Sequence, residues 1–423
     1  MKLKPSNFLI ILKLMSYLNQ KVFLGLFLLF SVVGSLQAQY LTQIGLKDSV
    51  YSEVLKESRA FYVQFPEGFD PESDRKYATA YLLDGEMFLP ALSVTQKFYT
   101  GGFIPDMILI GISNHKNRTR DLTPTLVESS WEPNGGAAAF LKFIGEELIP
   151  FIEEKYPVTD YRTLIGHSYG GLFAINTLIH QPKLFENYLA IDPSLDWDDQ
   201  LMLKEAKEVF SKESLEGKSL YVSLSGQLHM QKPEMTLENV MKDKSDFTLF
   251  ARSNILFAEL CRANSETGLD FNWEFFPKDL HGTVPLPSLR NGLISLFEWF
   301  QMERVEIFNI PETTPEDLLE LMSYRAKKLE AHFGYPVPPI PEDLITMSGY
   351  MNMDMGQMEK AKMFFEQGIQ YFPKSANLYD SMADYFIAEN DLNRALDYVK
   401  KAYSISGSEY HKNRMEELTL KTK

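Results

Sequence analysis

Residues 164–173 read LIGHSYGGLF and set one serine, Ser168, between Gly166 and Gly170, directly after one apolar run and directly before another. A serine on a sharp strand-to-helix turn holds a strained backbone, and side chains two residues before or after it would collide, so glycine is expected there. The preceding RTLI (162–165) reads as a strand and the following GLFAINTLIHQP (171–182) as a helix. Ser168 is therefore the candidate nucleophile. The competing reading is a glycine-rich turn inside a core.

The surrounding chain supports a layered sheet. Between residues 40 and 302, strand-length apolar stretches occur at 59–66, 78–85, 107–113, 161–168, 187–193, 219–226 and 271–277. Several lack polar alternation, as expected of strands covered on both faces. Helical spacing of apolar residues occurs at 137–157, 171–182, 247–265 and 288–301. Strand and helix taking turns implies a mostly parallel sheet wrapped by helices.

A serine hydroxyl attacks at neutral pH only if a base removes its proton. In a serine hydrolase with this strand–turn–helix motif the order along the chain is serine, acid, histidine, the histidine following the last or penultimate strand. His281, in FPKDLHGTVPLPSL (276–289), has that place. His229 follows the preceding strand, where the acid belongs, and His167 beside the serine reads as structural.

Four motifs in this order, RTRDLTP (118–124), IGHSYGGLFA (165–174), AIDPSLDWDD (190–199) and HGTVPLPSL (281–289), resemble the esterase family that includes esterase D and the ferric-enterobactin esterases. The resemblance spans about residues 45–302 and implies an α/β-hydrolase domain. It puts the nucleophile at Ser168, the base at His281, and the oxyanion hole at the backbone N–H of Tyr169 with that of Glu86 in LLDGE (82–86). The family often carries two adjacent tryptophans where this chain has Asp196 and Trp197. Trp197 is expected to wall the substrate pocket, and the Asp196 charge disfavours anionic substrates. Arg118 and Arg120 are expected to hold a substrate carboxylate or catecholate; the alternative is an internal ion pair with Asp121 or another carboxylate, more so for Arg120. The acid is the weak point. Glu234 is favoured, with Glu238, Asp243, Asp246, Asp192 and Asp279 as alternatives and an acid-free Ser–His pair as a further one.

The first 38 residues carry four lysines, no acidic residue, the apolar run at 22–34 and SLQA at 35–38, which together read as a secretory signal ending at Ala38. The 13-residue run is short for a membrane span, and no stable membrane anchor is expected after the signal is removed. The net charge is −15, and removing those four lysines leaves −19, which repels nucleic acid and anionic membranes. A single cysteine, Cys261, forms no internal disulfide and reads as a buried apolar residue. Export without disulfides points to a bacterial periplasm or secretion. No metal-ligand spacing occurs and no cofactor is implied.

Beyond the connector at 303–341, which ends in PVPPIP (336–341), the pattern is wholly helical and repeats every 34 residues: Gly349 with Ala383, Gly356 with Asn390, Ala361 with Ala395, Gly368 with Ala402, Pro373 with Gly407. This period resembles the tetratricopeptide repeat. Two repeats over 342–410 and a tail at 411–423 are expected, the repeats forming a separate unit behind a stiff spacer and offering a surface for a protein partner. The expected activity is an exported serine carboxylic ester hydrolase acting on siderophore, feruloyl, acetyl or small acyl esters. The rival reading is a decayed hydrolase that binds through its repeats.

Overall fold

The computed structural model describes residues 44–71, 75–128, 130 and 132–423. The expected signal segment lies outside the described residues.

Eight strands form one sheet in the order β1-β2-β4-β3-β5-β6-β7-β8. They are β1 (Leu46–Ser52), β2 (Glu57–Gln64), β3 (Tyr77–Leu82), β4 (Met107–Ile112), β5 (Val158–His167), β6 (Asn187–Ile191), β7 (Ser219–Ser225) and β8 (Asp270–Phe276). β1 pairs antiparallel with β2 and β2 antiparallel with β4, while every pairing from β4 through β3 to β8 is parallel. The central strands β3, β4 and β6 are buried at every position, the reason their sequences do not alternate.

The α-helices of five residues or more are α1 (Gly85–Tyr99), α2 (Arg118–Leu122), α3 (Ala137–Phe143), α4 (Ile149–Lys155), α5 (Tyr169–His180), α6 (Trp197–Phe210), α7 (Leu249–Ala263), α8 (Pro285–Leu296), α9 (Pro315–Phe333), α10 (Glu342–Asp354), α11 (Met358–Tyr371), α12 (Ala376–Ala388), α13 (Leu392–Ser406) and α14 (Glu409–Lys421). Successive strand residues feed opposite cores. Tyr81, Ile110 and Leu164 pack with Phe140, Phe173, Met202 and Phe257 from α3, α5, α6 and α7. Ala80, Leu109 and Ile165 pack with Leu92, Leu289 and Leu293 from α1 and α8. The result is a three-layer α/β sheet, with α5 buried through most of its length beneath the turn that carries Ser168.

Several elements differ from the sequence expectation, among them α1, a helix with Pro90 in its interior where no helical pattern is read. β1 was not anticipated because its residues are polar and mostly exposed at the sheet edge. α6 hides behind three consecutive left-handed residues, Asp198, Asp199 and Gln200, which break the helical pattern at its start.

The C-terminal region is helical from α9 to α14, and its details correct the spacer and tail expectations. The proline-rich stretch is packed rather than free: Ile340 is buried, and Arg325 of α9 donates to the carbonyls of Pro339 (2.6 Å), Phe300 (2.7 Å) and Gln301 (3.1 Å). α9 serves two cores. Leu329 and Phe333 near its C-terminus join Tyr161 and Phe297 in the sheet core, whereas Leu318, Leu321 and Met322 join Ile345, Phe364 and Leu378. Residues 411–423 lie mostly within α14, which Ser408 caps by accepting from the His411 N–H and which buries Leu418 against Ala395 and Val399 of α13. Gly349 and Gly368 are required by close approach: a Cβ at Gly349 would lie 2.3 Å from the Phe365 ring, and one at Gly368 2.6 Å from Leu378. Cys261 is buried, and that burial raises its thiol pKa.

Candidate active site

β5 ends at His167, and the chain turns into α5 through Ser168, whose φ of 60° and ψ of −117° are strained for a residue with a side chain. Its hydroxyl meets the loops after β8 and β6, at His281 and Ser194. A Cβ at Gly166 would come within 2.2 Å of the Gly170 carbonyl oxygen, so glycine is obligatory there. At Gly170 the nearest atom would be Leu83 Cβ at 3.5 Å, an ordinary contact, while at Gly171 it would be Pro193 Cβ at 2.9 Å. The second crowded glycine is thus Gly171, not Gly170 as the spacing rule suggested. The cause is the close packing of α5 on the loop after β6.

The Ser168 hydroxyl lies 3.0 Å from Nε2 of His281, on the loop after β8. Nδ1 of the same ring lies 2.7 Å from Oδ2 of Asp192. Asp192 follows β6 directly, has φ of 43° and is fully buried. Its Oδ1 accepts from the Ser225 N–H at 2.9 Å. This corrects the expectation of Glu234 as the acid: Glu234 is exposed in the loop after β7, and the position facing Nδ1 is taken by Asp192. Chain order alone permits both, since each falls between Ser168 and His281. The available signal was the aspartate at the C-terminal tip of an apolar strand, followed by proline, in AIDP (190–193).

The histidine loop is held from several sides. His281 N–H donates to Gln227 Oε1 at 3.3 Å, the Phe250 ring stands edge-on to the imidazole at 5.3 Å, and His167 Nε2 donates to the His281 carbonyl at 2.9 Å. That bond fixes the His167 proton on Nε2. Burial, with His281 as the next cause, lowers the His167 pKa to about 4. His229 is buried beside Phe247 and its Nδ1 accepts from the N–H groups of Gln231 and Lys232.

The first turns of α1 and α5 approach each other at the serine. Asp84, left-handed at φ 52°, begins α1, and Gly170 of α5 packs on Leu83 and Asp84. Tyr169 is the first residue of α5 and Glu86 the second of α1, positions whose N–H groups lack an intrahelical acceptor. Arg118 ties the two turns together. Its Nε reaches both Asp84 carboxylate oxygens at 2.9 and 3.0 Å, and its Nη2 donates to the His167 carbonyl at 3.1 Å. The guanidinium also lies 5.5 Å from the centre of the Tyr169 ring. Burial raises the Asp84 pKa, an effect that Arg118 opposes.

Arg120 is directed elsewhere, which corrects its expected role as a substrate ligand. It pairs with Glu57 (2.6 Å) and Asp121 (2.7 Å), and the same acidic pair engages Arg59. Glu57 is consequently held down to about 2, chiefly by the Arg120 hydrogen bond. Trp197 is half-buried, donates from Nε1 to Thr125 Oγ1 at 3.2 Å, and meets the Tyr169 ring edge-on at 5.4 Å. Asp196 beside it is partly buried, and desolvation raises its pKa.

A serine, a histidine and a buried carboxylate in line, beside two helix N-termini, can carry out acyl transfer. Comparison with known proteins agrees. Residues 52–227 match the family model described as "Putative esterase". The ferri-bacillibactin esterase BesA of Bacillus subtilis is 26% identical over 232 residues, covering 50% of this chain and 80% of its own. The chain is a hydrolytic esterase. A siderophore enterobactin esterase of Emericella nidulans is 34% identical over 181 residues, 39% of this esterase and 57% of that protein. Among solved structures, an IroE-like serine hydrolase from Shewanella oneidensis superposes with a TM-score of 0.63 at 26% identity, covering 77% of this esterase and 99% of that chain.

Proposed function

We propose that this esterase is an exported serine hydrolase that cleaves siderophore esters by a two-step acyl-enzyme mechanism. The observation that carries the reading is the continuous line from Ser168 Oγ through His281 to the buried Asp192. Ser168 attacks the ester carbonyl while His281 Nε2 takes its proton, and the Asp192 carboxylate holds the imidazolium that forms. The N–H groups of Tyr169 and Glu86 stabilise the oxyanion, each such donor typically contributing about 3 kcal/mol to the transition state. His281 then returns the proton to the leaving alcohol, activates a water, and the acid is freed.

The siderophore assignment draws on the names of the relatives, which act on ferri-bacillibactin and enterobactin. Trp197 and Tyr169 offer aromatic walls, and the Arg118 guanidinium lies 5.5 Å from the centre of the Tyr169 ring. The helical region α10–α14, with its 34-residue period, is proposed as a tetratricopeptide-like module open to a protein partner. A decayed hydrolase is the rival reading, motivated by the missing acid and by Asp196 in place of a tryptophan; Asp192 opposite His281 Nδ1 weighs against the first of these.

The test compares the parent with Ser168→Ala on p-nitrophenyl acetate and butyrate, on feruloyl esters, and on ferric bacillibactin and enterobactin, alongside labelling by a fluorophosphonate probe. Turnover and labelling that vanish in Ser168→Ala, with the ferric siderophores preferred, are expected. Equal activity of the two proteins removes Ser168 from the mechanism. Activity confined to feruloyl or short acyl esters removes the siderophore reading while keeping the mechanism.

A further inference from the structure

A second hydroxyl touches the nucleophile. Ser194 Oγ lies 3.2 Å from Ser168 Oγ, on the side not taken by His281. Ser194 sits two residues after Asp192 on the same loop, is only 6% exposed, and is held through the peptide bond that precedes it. Its backbone N–H donates to the Ser168 carbonyl at 3.2 Å. The Pro193 carbonyl before it accepts from the buried Asn254 amide at 2.8 Å, and the Pro193 ring is wedged against Gly171.

The direction of the Ser194–Ser168 bond follows from the histidine. Nδ1 of His281 faces the Asp192 carboxylate and so carries the ring proton, which leaves Nε2 as an acceptor. The Ser168 proton must then point to Nε2. With that proton committed, Ser168 Oγ can meet Ser194 only as an acceptor, so Ser194 is the donor.

We propose that Ser194 is a second catalytic hydroxyl, whose proton steadies the charge that develops on Ser168 Oγ in both half-reactions; this rests on Ser168 being the nucleophile. During acylation the Oγ–carbon bond forms, the carbonyl π pair moves onto the carbonyl oxygen, and the Ser168 proton passes to His281. Ser194 keeps its own proton throughout. During deacylation water adds to the acyl carbon and gives a proton to His281; as the tetrahedral intermediate collapses the Oγ–carbon bond breaks, its electron pair returns to Oγ, and His281 passes that proton to it. In each case Oγ is more negative near the transition state than as a neutral hydroxyl or ester oxygen. A hydrogen bond to a charged acceptor is roughly twice as strong as one to a neutral acceptor, so the Ser194 bond favours the transition state over the ground state. The expected contribution is about tenfold in rate.

The experiment compares the parent, Ser194→Ala and Ser194→Thr in the full chain. It measures the burst and steady-state rates on p-nitrophenyl acetate, the second-order rate of fluorophosphonate inactivation, and the pH profile of kcat/KM. The proposal expects Ser194→Ala to lose about tenfold in burst rate, kcat and inactivation rate, with KM and the acid limb of the profile unchanged and partial recovery in Ser194→Thr. Rates within twofold of the parent overturn it. So does a loss accompanied by a shifted acid limb and no recovery in Ser194→Thr, which would mark Ser194 as a support for Asp192. Ser168→Ala, run in parallel, reports separately on the nucleophile: if it stays active, the mechanism itself fails whatever Ser194 does.

Discussion

Asp192 Oδ2 meets His281 Nδ1 at 2.7 Å from the tip of β6, one strand nearer the nucleophile than the loop after β7. The short route keeps the carboxylate fully buried and lets the Ser225 N–H bond its other oxygen. Asp192→Asn preserves the shape but puts an amide where Nδ1–H needs an acceptor, favouring the wrong tautomer. We expect kcat on p-nitrophenyl butyrate to fall by about four orders of magnitude with KM nearly constant. Glu234→Gln should stay within twofold of the parent. The reverse ranking of the two variants would return the acid to the loop after β7.

The parts of this fold that were legible in the sequence share a cause. Strands β3 to β7 show as apolar runs because both faces of the parallel part of the sheet are covered, while the exposed edge strand β1 carries no such mark. Ser168 and His281 were legible because backbone geometry restricts where each can stand. The acid was not, because a carboxylate can arrive from any strand tip that reaches the imidazole, and only the folded loop shows which one does. The pairing of Arg118 with Asp84 joins residues 34 apart through two separate turns, which no local pattern records.

The glycines around Ser168 make a graded test of the turn. Gly166→Ala drives a methyl to within 2.2 Å of the Gly170 carbonyl oxygen, backbone that cannot yield without moving the nucleophile. A loss of about 3 kcal/mol or more in stability is expected, with no measurable esterase activity. Gly170→Ala meets nothing closer than 3.5 Å and should change stability by less than about 1 kcal/mol. Urea unfolding of both variants checks the order, and a Gly170→Ala protein as damaged as Gly166→Ala would contradict the packing described for α5.

His167 predicts a pH dependence of stability. Its folded-state pKa, lowered to about 4 by burial, lies below the unfolded value near 6.5. Between those values the unfolded chain binds more protons, so stability increases with pH and is lost as pH falls from about 6.5 to about 4. The full effect is on the order of 3 kcal/mol. His167→Gln, which retains a side-chain N–H donor for the His281 carbonyl, should flatten that part of the curve. Thermal unfolding of both proteins at pH 4.5, 5.5 and 7.5 checks it; identical slopes would remove His167 as the cause.

Arg118 links the turn before α1 to the elbow, and its proposed role as a substrate ligand separates from that one by substrate charge. Were it only a ligand for anionic groups, Arg118→Met would leave neutral esters untouched. Because its Nε and Nη2 hold Asp84 and the His167 carbonyl, removal leaves a mostly buried carboxylate unpaired, at about 3 kcal/mol or more. We therefore expect kcat on neutral p-nitrophenyl acetate to drop at least tenfold, and Arg118→Lys to recover only part of it, since an ammonium cannot reproduce the guanidinium's geometry. Unchanged turnover of the neutral ester would leave Arg118 with a substrate role alone.

The C-terminal helices bear on the hydrolase through α9. A chain ending at Ile340 keeps Ser168, Asp192 and His281 and the whole of α9, but uncovers Leu318, Leu321 and Met322, which pack on Ile345, Phe364 and Leu378 in the intact protein. That chain should turn over small esters at the parental rate per folded molecule while self-associating through the exposed face. A chain ending at Met302 also loses Leu329 and Phe333, and with Phe333 the edge-on contact to Tyr161 at 4.9 Å and the packing on Trp299 at 5.0 Å. Removing a buried phenylalanine costs about 3–5 kcal/mol, so this shorter chain should unfold well below the other and lose activity with it. Melting temperature and kcat/KM of the two chains, measured by scanning calorimetry and p-nitrophenyl butyrate turnover, decide the matter. Equal stability would mean that α9 belongs wholly to the helical region, whereas lost turnover in a folded, monodisperse chain ending at Ile340 would show that α10–α14 shape the active site.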